Sequence, residues 1–338
     1  MGKTSRTRRD RNGASRAKAS KHSRKSARSK SRGLSKPTTI VVVAGVVVAT
    51  LVATLLFLAR TTHPPFDEAR SFEYLRELVA FGPRSPGSAA HAAAADWLEA
   101  ELTSLADQVS RQSVVVPING DTLRGTNIIA SFNLQPKKNT RVMLSTHWDT
   151  RPWANRDPDP AAHSSPIPGA NDGGSGVAIL LEIARVLRES PIDIGVDLVL
   201  FDLEDSGRDT TVAFALGSEF FAANNTEYRP SFGINLDMVC DAALQIPKEV
   251  NSVRGARQII DLIWEAAEEE GADVFVDRAG MAIMDDHTAF LKRGIRVVDL
   301  IQTPFPPYWH TLDDTIDKCS PGSLGQVGNT LLRVIYAQ

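Results

Sequence analysis

The sequence predicts an α/β domain with helices on both faces of its sheet. Two observations predict it. Short apolar, β-branched runs alternate with helical segments of 10–15 residues through most of the chain. The conspicuous acids and histidines fall where those runs end, which is where α/β sheets collect functional groups.

The elements follow in order. Phe66–Val79 carries an apolar stripe (Phe72, Leu75, Leu78, Val79) and reads as an amphipathic helix. The turn-rich loop Gly82–Ser88 follows, and Ser88 can cap an Ala-rich helix reaching Ala106. Gln112–Val116, Asn127–Phe132 and Arg141–Ser145 read as strands. A loop rich in Pro, Asp and Asn leads to Gly169–Gly176 and a helix over Val177–Arg188. Val196–Phe201 is a buried strand, Ser218–Asn224 a short helix and Phe232–Val239 a strand. Ala256–Glu270 is a helix with a charged face, Val297–Ile301 the last strand and Pro321–Tyr336 the closing helix. There is no internal repeat.

Charge is unevenly spread. Residues 1–36 hold 14 Lys+Arg and one acid, Asp10. The remainder holds 24 Lys+Arg (38 − 14) against 39 acids (40 − 1), a net of −15. The basic tail lacks aromatic residues for stacking bases, so no nucleic-acid partner is expected; it reads as a solvated arm beside a membrane. Thr38–Ala59 has no charged residue, and its 22 residues make a helix of about 33 Å, enough to span a bilayer core. We expect an uncleaved transmembrane anchor over 38–59. Residues 1–36 then lie in the cytoplasm and the catalytic body, 66–338, lies in a periplasmic, luminal or extracellular space. A monomer is expected. Two cysteines, Cys240 and Cys319, either pair or stay as separate buried thiols.

The chemistry-bearing residues lie at the loops. His147-x-Asp149 closes a strand. Asp172 stands among glycines, either as a cap for the next helix or as a metal ligand in a loop that allows close backbone approach; no Lys is present to make it a phosphate cradle. Glu204-Asp205 follows a buried strand, and adjacent carboxylates there call for a cation; one can bind it while the other stays free as a base. Asp237 lies in an apolar strand and needs a partner. Asp285-Asp286-His287 precedes a short helix. His310 ends the Pro- and aromatic-rich loop Pro304–Trp309. One ligand from each of three loops, Asp172, Asp205 and His310, is the way a catalytic zinc site with an open position is assembled.

These blocks resemble the zinc-dependent glutaminyl-peptide cyclotransferases of the M28 aminopeptidase-like clan. The resemblance covers roughly 66–338. It rests on Gly82–Ser88, His147-Trp148-Asp149, Gly169–Gly176, Phe201–Asp205, Leu216-Gly217-Ser218-Glu219, Asn235-Leu236-Asp237, Asp285-Asp286-His287 and Trp309-His310-Thr311, in that order. The resemblance implies a three-layer α/β/α globule with a mixed, mostly parallel sheet and one zinc ion. It implies Asp172, Asp205 and His310 as ligands, Glu204 as general acid/base, and Asp237 and Asp285 in its hydrogen-bond network. Trp309, with Met284 and Phe305, is implied to line the substrate pocket. The implied reaction converts the N-terminal glutaminyl residue of peptides or proteins to pyroglutamate with release of ammonia. Three positions depart from the animal enzymes. Asp205 replaces a Glu, Met284 stands where an amide is common, and Ser206–Ala215 lacks a pocket tryptophan. In that reading His147 stands behind the ligands and does not bind the metal. In the alternative, a two-metal M28-type aminopeptidase, His147 and Asp237 hold a second zinc bridged by Asp172.

Overall fold

The computed structural model describes residues 63–118, 121–208 and 212–338, together with positions 42, 43, 46, 47 and 50. Two compact units separate at residues 58/59. In the first, the five described positions are helical and exposed. The basic tail and, apart from those five positions, the expected anchor over 38–59 lie outside the described residues. Among the described residues no helix is long and apolar enough to cross a membrane.

The second unit is built on a six-stranded sheet. Its helices are α1 (Glu68–Ala80), α2 (Ala89–Leu105), α3 (Ser175–Glu189), α4 (Leu216–Asn224), α5 (Val250–Glu270), α6 (His287–Leu291) and α7 (Pro321–Tyr336). Its strands are β1 (Gln108–Ile118), β2 (Asp121–Phe132), β3 (Arg141–His147), β4 (Gly195–Phe201), β5 (Phe232–Asp237), β6 (Ile246–Lys248), β7 (Phe275–Ala279) and β8 (Val297–Ile301). The strand order is β1-β2-β4-β3-β5-β8. β4, β3, β5 and β8 run parallel, and the β1–β2 hairpin joins them antiparallel through β2 and β4. The sheet is mixed and its centre is parallel.

The parallel strands are apolar on both faces because both are covered. Alternate residues separate into two clusters. Val142, Leu144, Val196, Leu198, Leu200, Val298 and Leu300 share one core with residues of α1, α2, α3, α5 and α7. Met143, Val199, Phe201 and Val297 share the other with Phe221 and Ala222 of α4 and Phe290 of α6. α3 sits deepest: its residues 175–184 are all buried. Each large aliphatic side chain so buried contributes about 1.5–3 kcal/mol.

The four parallel strands are those read from the sequence, with shifted ends. β3 runs two residues past Ser145, to His147. β5 stops at Asp237, because Met238 turns to a left-handed φ of 49°. The hairpin strands extend well beyond the apolar runs that signal them, since their outer halves are polar and largely exposed. β6 and β7, a small parallel pair, carry too few apolar residues to be seen. α5 begins six residues before Ala256, the position at which a φ of −142° interrupts it, and Glu249 caps it by accepting from Asn251 and Ser252 N–H. Cys240 and Cys319 form a disulfide, which resolves the open alternative and ties the chain after β5 to the segment entering α7.

Candidate active site

The parallel strands end on one edge, and each delivers a polar residue there. β3 ends at His147, with Asp149 two residues on; β4 leads into Asp202–Asp205; β5 ends at Asp237; β8 leads into the loop that carries His310. Asp172 precedes α3. The N-terminal cap position of α3 is Gly174, with no side-chain cap bond, so Asp172 is not a helix cap. Gly173 permits the close approach expected of this loop. Its φ is +83°, and a Cβ there would lie 2.2 Å from the Asp149 carbonyl oxygen and 3.0 Å from His147 Cε1.

Asp172, Asp205 and His310 converge. His310 Nε2 lies 3.5 Å from Asp172 Oδ2 and 3.4 Å from Asp205 Oδ1. All three are buried, and one ligand atom from each fits within a 4.8 Å sphere of separation. Asp172 Oδ2 and Asp205 Oδ2 are buried with no hydrogen-bond partner. Unpaired buried carboxylate oxygens are costly unless a cation completes them. The donor set, two carboxylates and an imidazole, suits zinc. A second group, His147, Asp172 and Asp237, meets the same test of proximity. His147 Nε2 is 3.3 Å from Asp172 Oδ1 and 3.2 Å from Asp237 Oδ1, while Nδ1 is 3.4 Å from Asp149 Oδ1. Burial opposes its protonation, but these three carboxylates outweigh burial and push its pKa well above the ordinary imidazole value.

Two buried acids hold the ligand loops by their backbone. Asp149 accepts from the N–H groups of Glu204 and Asp205, at 3.2 and 3.3 Å. Asp314 accepts from those of Asn171 and Asp172, at 2.9 and 3.1 Å. Burial, with Asp172 nearby, raises the Asp314 pKa to about 8. Arg84, fully buried, donates to the carbonyl oxygens of Trp148, Pro168 and Gly169. Leu203 (φ 61°), immediately before Glu204, and His310 (φ 56°) are both left-handed. Such conformations cost about 1–3 kcal/mol each and persist where surrounding contacts enforce them.

Glu204 is buried, and burial first, then Asp285 and Asp205, push its pKa well above the ordinary carboxylate value. Asp237 is raised to about 7 by burial and Asp285, against the opposing pull of His147. Asp285 Oδ2 accepts from Asn235 Nδ2 at 2.9 Å, and the same amide nitrogen donates to Asp299 at 3.2 Å. A cavity of about 300 Å³ opens here, lined by Asp172, Glu204, Asp205, Asp237, Asp285 and His310 on its polar side. Trp309, Phe305, Met284 and Phe214 line its apolar side. Trp309 stacks on His310, centroids 3.8 Å apart, and tilts against Phe305 at 4.4 Å. Met284 is 66% exposed and stands at the mouth. Asp172, Glu204, Asp205, Asp237, Met284, Asp285, Phe305, Trp309 and His310 are thus brought to this cavity, whereas His147, Asp149, Asp286 and His287 do not line it.

Sequence reasoning assigned no role to Asp314, Arg84, Asn235, Arg151 or Phe214. Asp314 follows His310 in the run Thr311-Leu312-Asp313-Asp314, whose composition does not show which acid turns inward. Arg151 sits in a loop whose Pro and Asp content hid it.

The model for peptidase family M28 matches residues 127–335. Aminopeptidase YwaD of Bacillus subtilis is 29% identical over 208 residues, 58% of this chain and 40% of that protein; the chain spans well under half of that relative. The glutaminyl-peptide cyclotransferase-like protein of Bos taurus is 24% identical over 287 residues, covering 76% of this chain and 72% of its own. Among solved structures, the glutaminyl cyclase of Bacteroides thetaiotaomicron bound to N-acetylhistamine is 37% identical, with a TM-score of 0.78, covering 82% of this chain and 99% of that one.

Proposed function

The chain belongs to peptidase family M28, and from that premise we propose that it is a glutaminyl-peptide cyclotransferase. It cyclises N-terminal glutaminyl residues of peptides or proteins to pyroglutamate and releases ammonia. The observation that carries this reading is the small cavity in which Glu204 and Asp285 face an aromatic wall built on His310 by Trp309 and Phe305. It has room for one amide side chain and the amine that attacks it. Relatives that cover nearly all of the folded unit carry the glutaminyl cyclase name.

Asp172, Asp205 and His310 would hold a zinc ion, which when bound supplies a Lewis acid for the carbonyl of the substrate's side-chain amide. The substrate's α-amine, with an ordinary pKa of about 7.7–8.0, is partly neutral near pH 7 and is the nucleophile. Its nitrogen bonds to the side-chain amide carbon, Cδ, and the bond from that carbon to the amide nitrogen breaks. Glu204 takes a proton from the attacking amine and passes it to the leaving nitrogen, so ammonia departs and the carboxylate is restored. A carboxyl whose burial raises its pKa is suited to holding that proton in transit. Asp285 and Asp237 orient the amine and Glu204. Trp309 and Phe305 exclude water, which would otherwise compete as nucleophile.

The test is ammonia release and loss of the mass of one ammonia from a Gln-initiated peptide. Zinc-loaded protein that did neither, yet cleaved leucine p-nitroanilide, would sink the reading. Glu204→Gln should keep zinc and lose about 10²–10⁴ of turnover; retained turnover removes Glu204 from its role.

A two-metal aminopeptidase is the second reading. The His147–Asp172–Asp237 group and the similarity to YwaD favour it. We also place the catalytic unit outside the cytoplasm, anchored by 38–59. The disulfide, which persists in oxidising compartments, supports that placement.

A further inference from the structure

Arg151 is 4% exposed and lies against Asp205. Its Nη1 donates to Asp205 Oδ1 at 2.8 Å and to the Asp205 carbonyl oxygen at 3.2 Å. Its Nε donates to Asn155 Oδ1 at 2.6 Å. Its guanidinium carbon lies 5.3 Å from the ring centre of Trp153 and 5.4 Å from that of Phe214. The planar cation is thus fixed at its edge by an amide and a ligand residue, and on its faces by two aromatic rings.

We propose that Arg151 is a positioning residue that selects the metal-binding oxygen of Asp205 and, through its contact with Phe214, ties metal geometry to the shape of the substrate pocket. The inference rests on the metal-site reading above. A carboxylate with both oxygens free can meet a metal through either one. Arg151 holds Oδ1, the oxygen that also lies 3.4 Å from His310 Nε2, and leaves Oδ2, which is buried and has no hydrogen-bond partner. The ligand is therefore presented in one orientation.

This accounts together for two departures noted in the sequence. An Asp ligand is one methylene shorter than a Glu, and the guanidinium braces it from behind. Ser206–Ala215 lacks a tryptophan, and Phe214 stands in the apolar wall with Trp309 and Phe305, seated on that same guanidinium. Lysine could supply the charge but not the planar fork or the stacked face. Arg151 also offsets the negative charge of Asp205, which is costly in so buried a site.

The experiment measures zinc affinity of the full chain by chelator competition, together with the visible absorption of the cobalt-substituted protein, which reports ligand geometry. Arg151→Met is expected to weaken zinc by about 10–100-fold, the usual range for a residue that orients a ligand, and to alter the cobalt spectrum. Arg151→Lys restores charge alone and is expected to stay at least about threefold weaker than the parent. Phe214→Ala frees one face of the guanidinium and is expected to weaken zinc by about 2–5-fold and to raise KM in the cyclisation assay; parental zinc affinity in it would break the tie between metal geometry and pocket shape. Should Arg151→Met fail to fold, Asn155→Ala frees only the Nε edge and is expected to weaken zinc by about 2–5-fold. Parental zinc affinity and cobalt spectrum in a folded Arg151→Met, or in Asn155→Ala, overturns the proposal, as does full recovery in Arg151→Lys. Zinc binding is read without any turnover. A wild-type protein that failed to cyclise glutamine would sink the cyclase reading and leave this one standing.

Discussion

On one side of Asp172, Oδ2 faces His310 and Asp205; on the other, Oδ1 faces His147 and Asp237. Both groups contain one imidazole and two carboxylates, and they share a member. They differ in charge. His147 has three acids within 3.4 Å, Asp149, Asp172 and Asp237, which push its pKa well above the ordinary imidazole value. The rear group thus favours a cation of its own. The front group leaves two buried carboxylate oxygens without partners, and all three of its members line the cavity, whereas His147 of the rear group does not. Residue composition does not distinguish a metal site from a structural ion cluster; the remaining charge and the access do.

The comparison is broken most directly by removing one imidazole at a time. His310→Ala is expected to abolish stoichiometric zinc and lower turnover by at least about 10³-fold, since both a ligand and the backing of Trp309 go. His147→Gln is expected to retain one zinc per chain and lose about tenfold or less, as a neighbour of the site. Metal analysis of the two proteins decides it. Two zinc ions in the parent, with one lost in each variant, would make the groups equivalent and favour the aminopeptidase.

The braces behind the ligands give the next, smaller effect. Asp314→Ala leaves the N–H groups of Asn171 and Asp172 unpaired in a buried setting. A cost of about 2–4 kcal/mol in unfolding free energy is expected from two orphaned donors, with zinc weakened about tenfold. Chemical denaturation and chelator titration check both. Unchanged zinc affinity would show that Asp172 is held by the metal loop itself, without Asp314.

What could be read in advance follows physical range. The four parallel strands were legible because a strand buried on both faces must be apolar throughout, and no other local pattern explains Val196–Phe201 or Val297–Ile301. The three front ligands were legible as acids and a histidine stranded at strand ends. Asp314 and Arg151 were not, because their significance is a distance to Asp172 and Asp205 that only the folded chain creates. The cap reading of Asp172 was locally sound; it fails because Gly174 holds the cap position and the carboxylate turns inward. The outer hairpin and β6–β7 were missed since edge strands need no apolar period. The disulfide, 79 positions apart in sequence, had no local signature at all.

A third imidazole sharpens the comparison. His287 lies 3.3 Å from Glu249 and 3.6 Å from Asp299, all fully buried and away from the cavity lining. Glu249 also receives N–H groups of Asn251, Ser252 and Ile283. Burial would raise the Glu249 pKa, but His287 and the N–H groups of Asn251 and Ile283 outweigh it and hold it down at about 2. The folded value lies below the ordinary 4.5. The carboxylate therefore contributes stability that is fully present above pH 4.5 and is lost as the pH falls toward 2. Glu249→Gln is expected to cost about 1 kcal/mol at pH 7, mainly as a weakened helix cap. The difference from the parent should shrink steadily in urea titrations at pH 4.5, 3.5 and 3. Zinc content should stay at the parental level, because Glu249 belongs to neither the front nor the rear group. A gap that widened on acidification would place the ionised Glu249 among the destabilising groups.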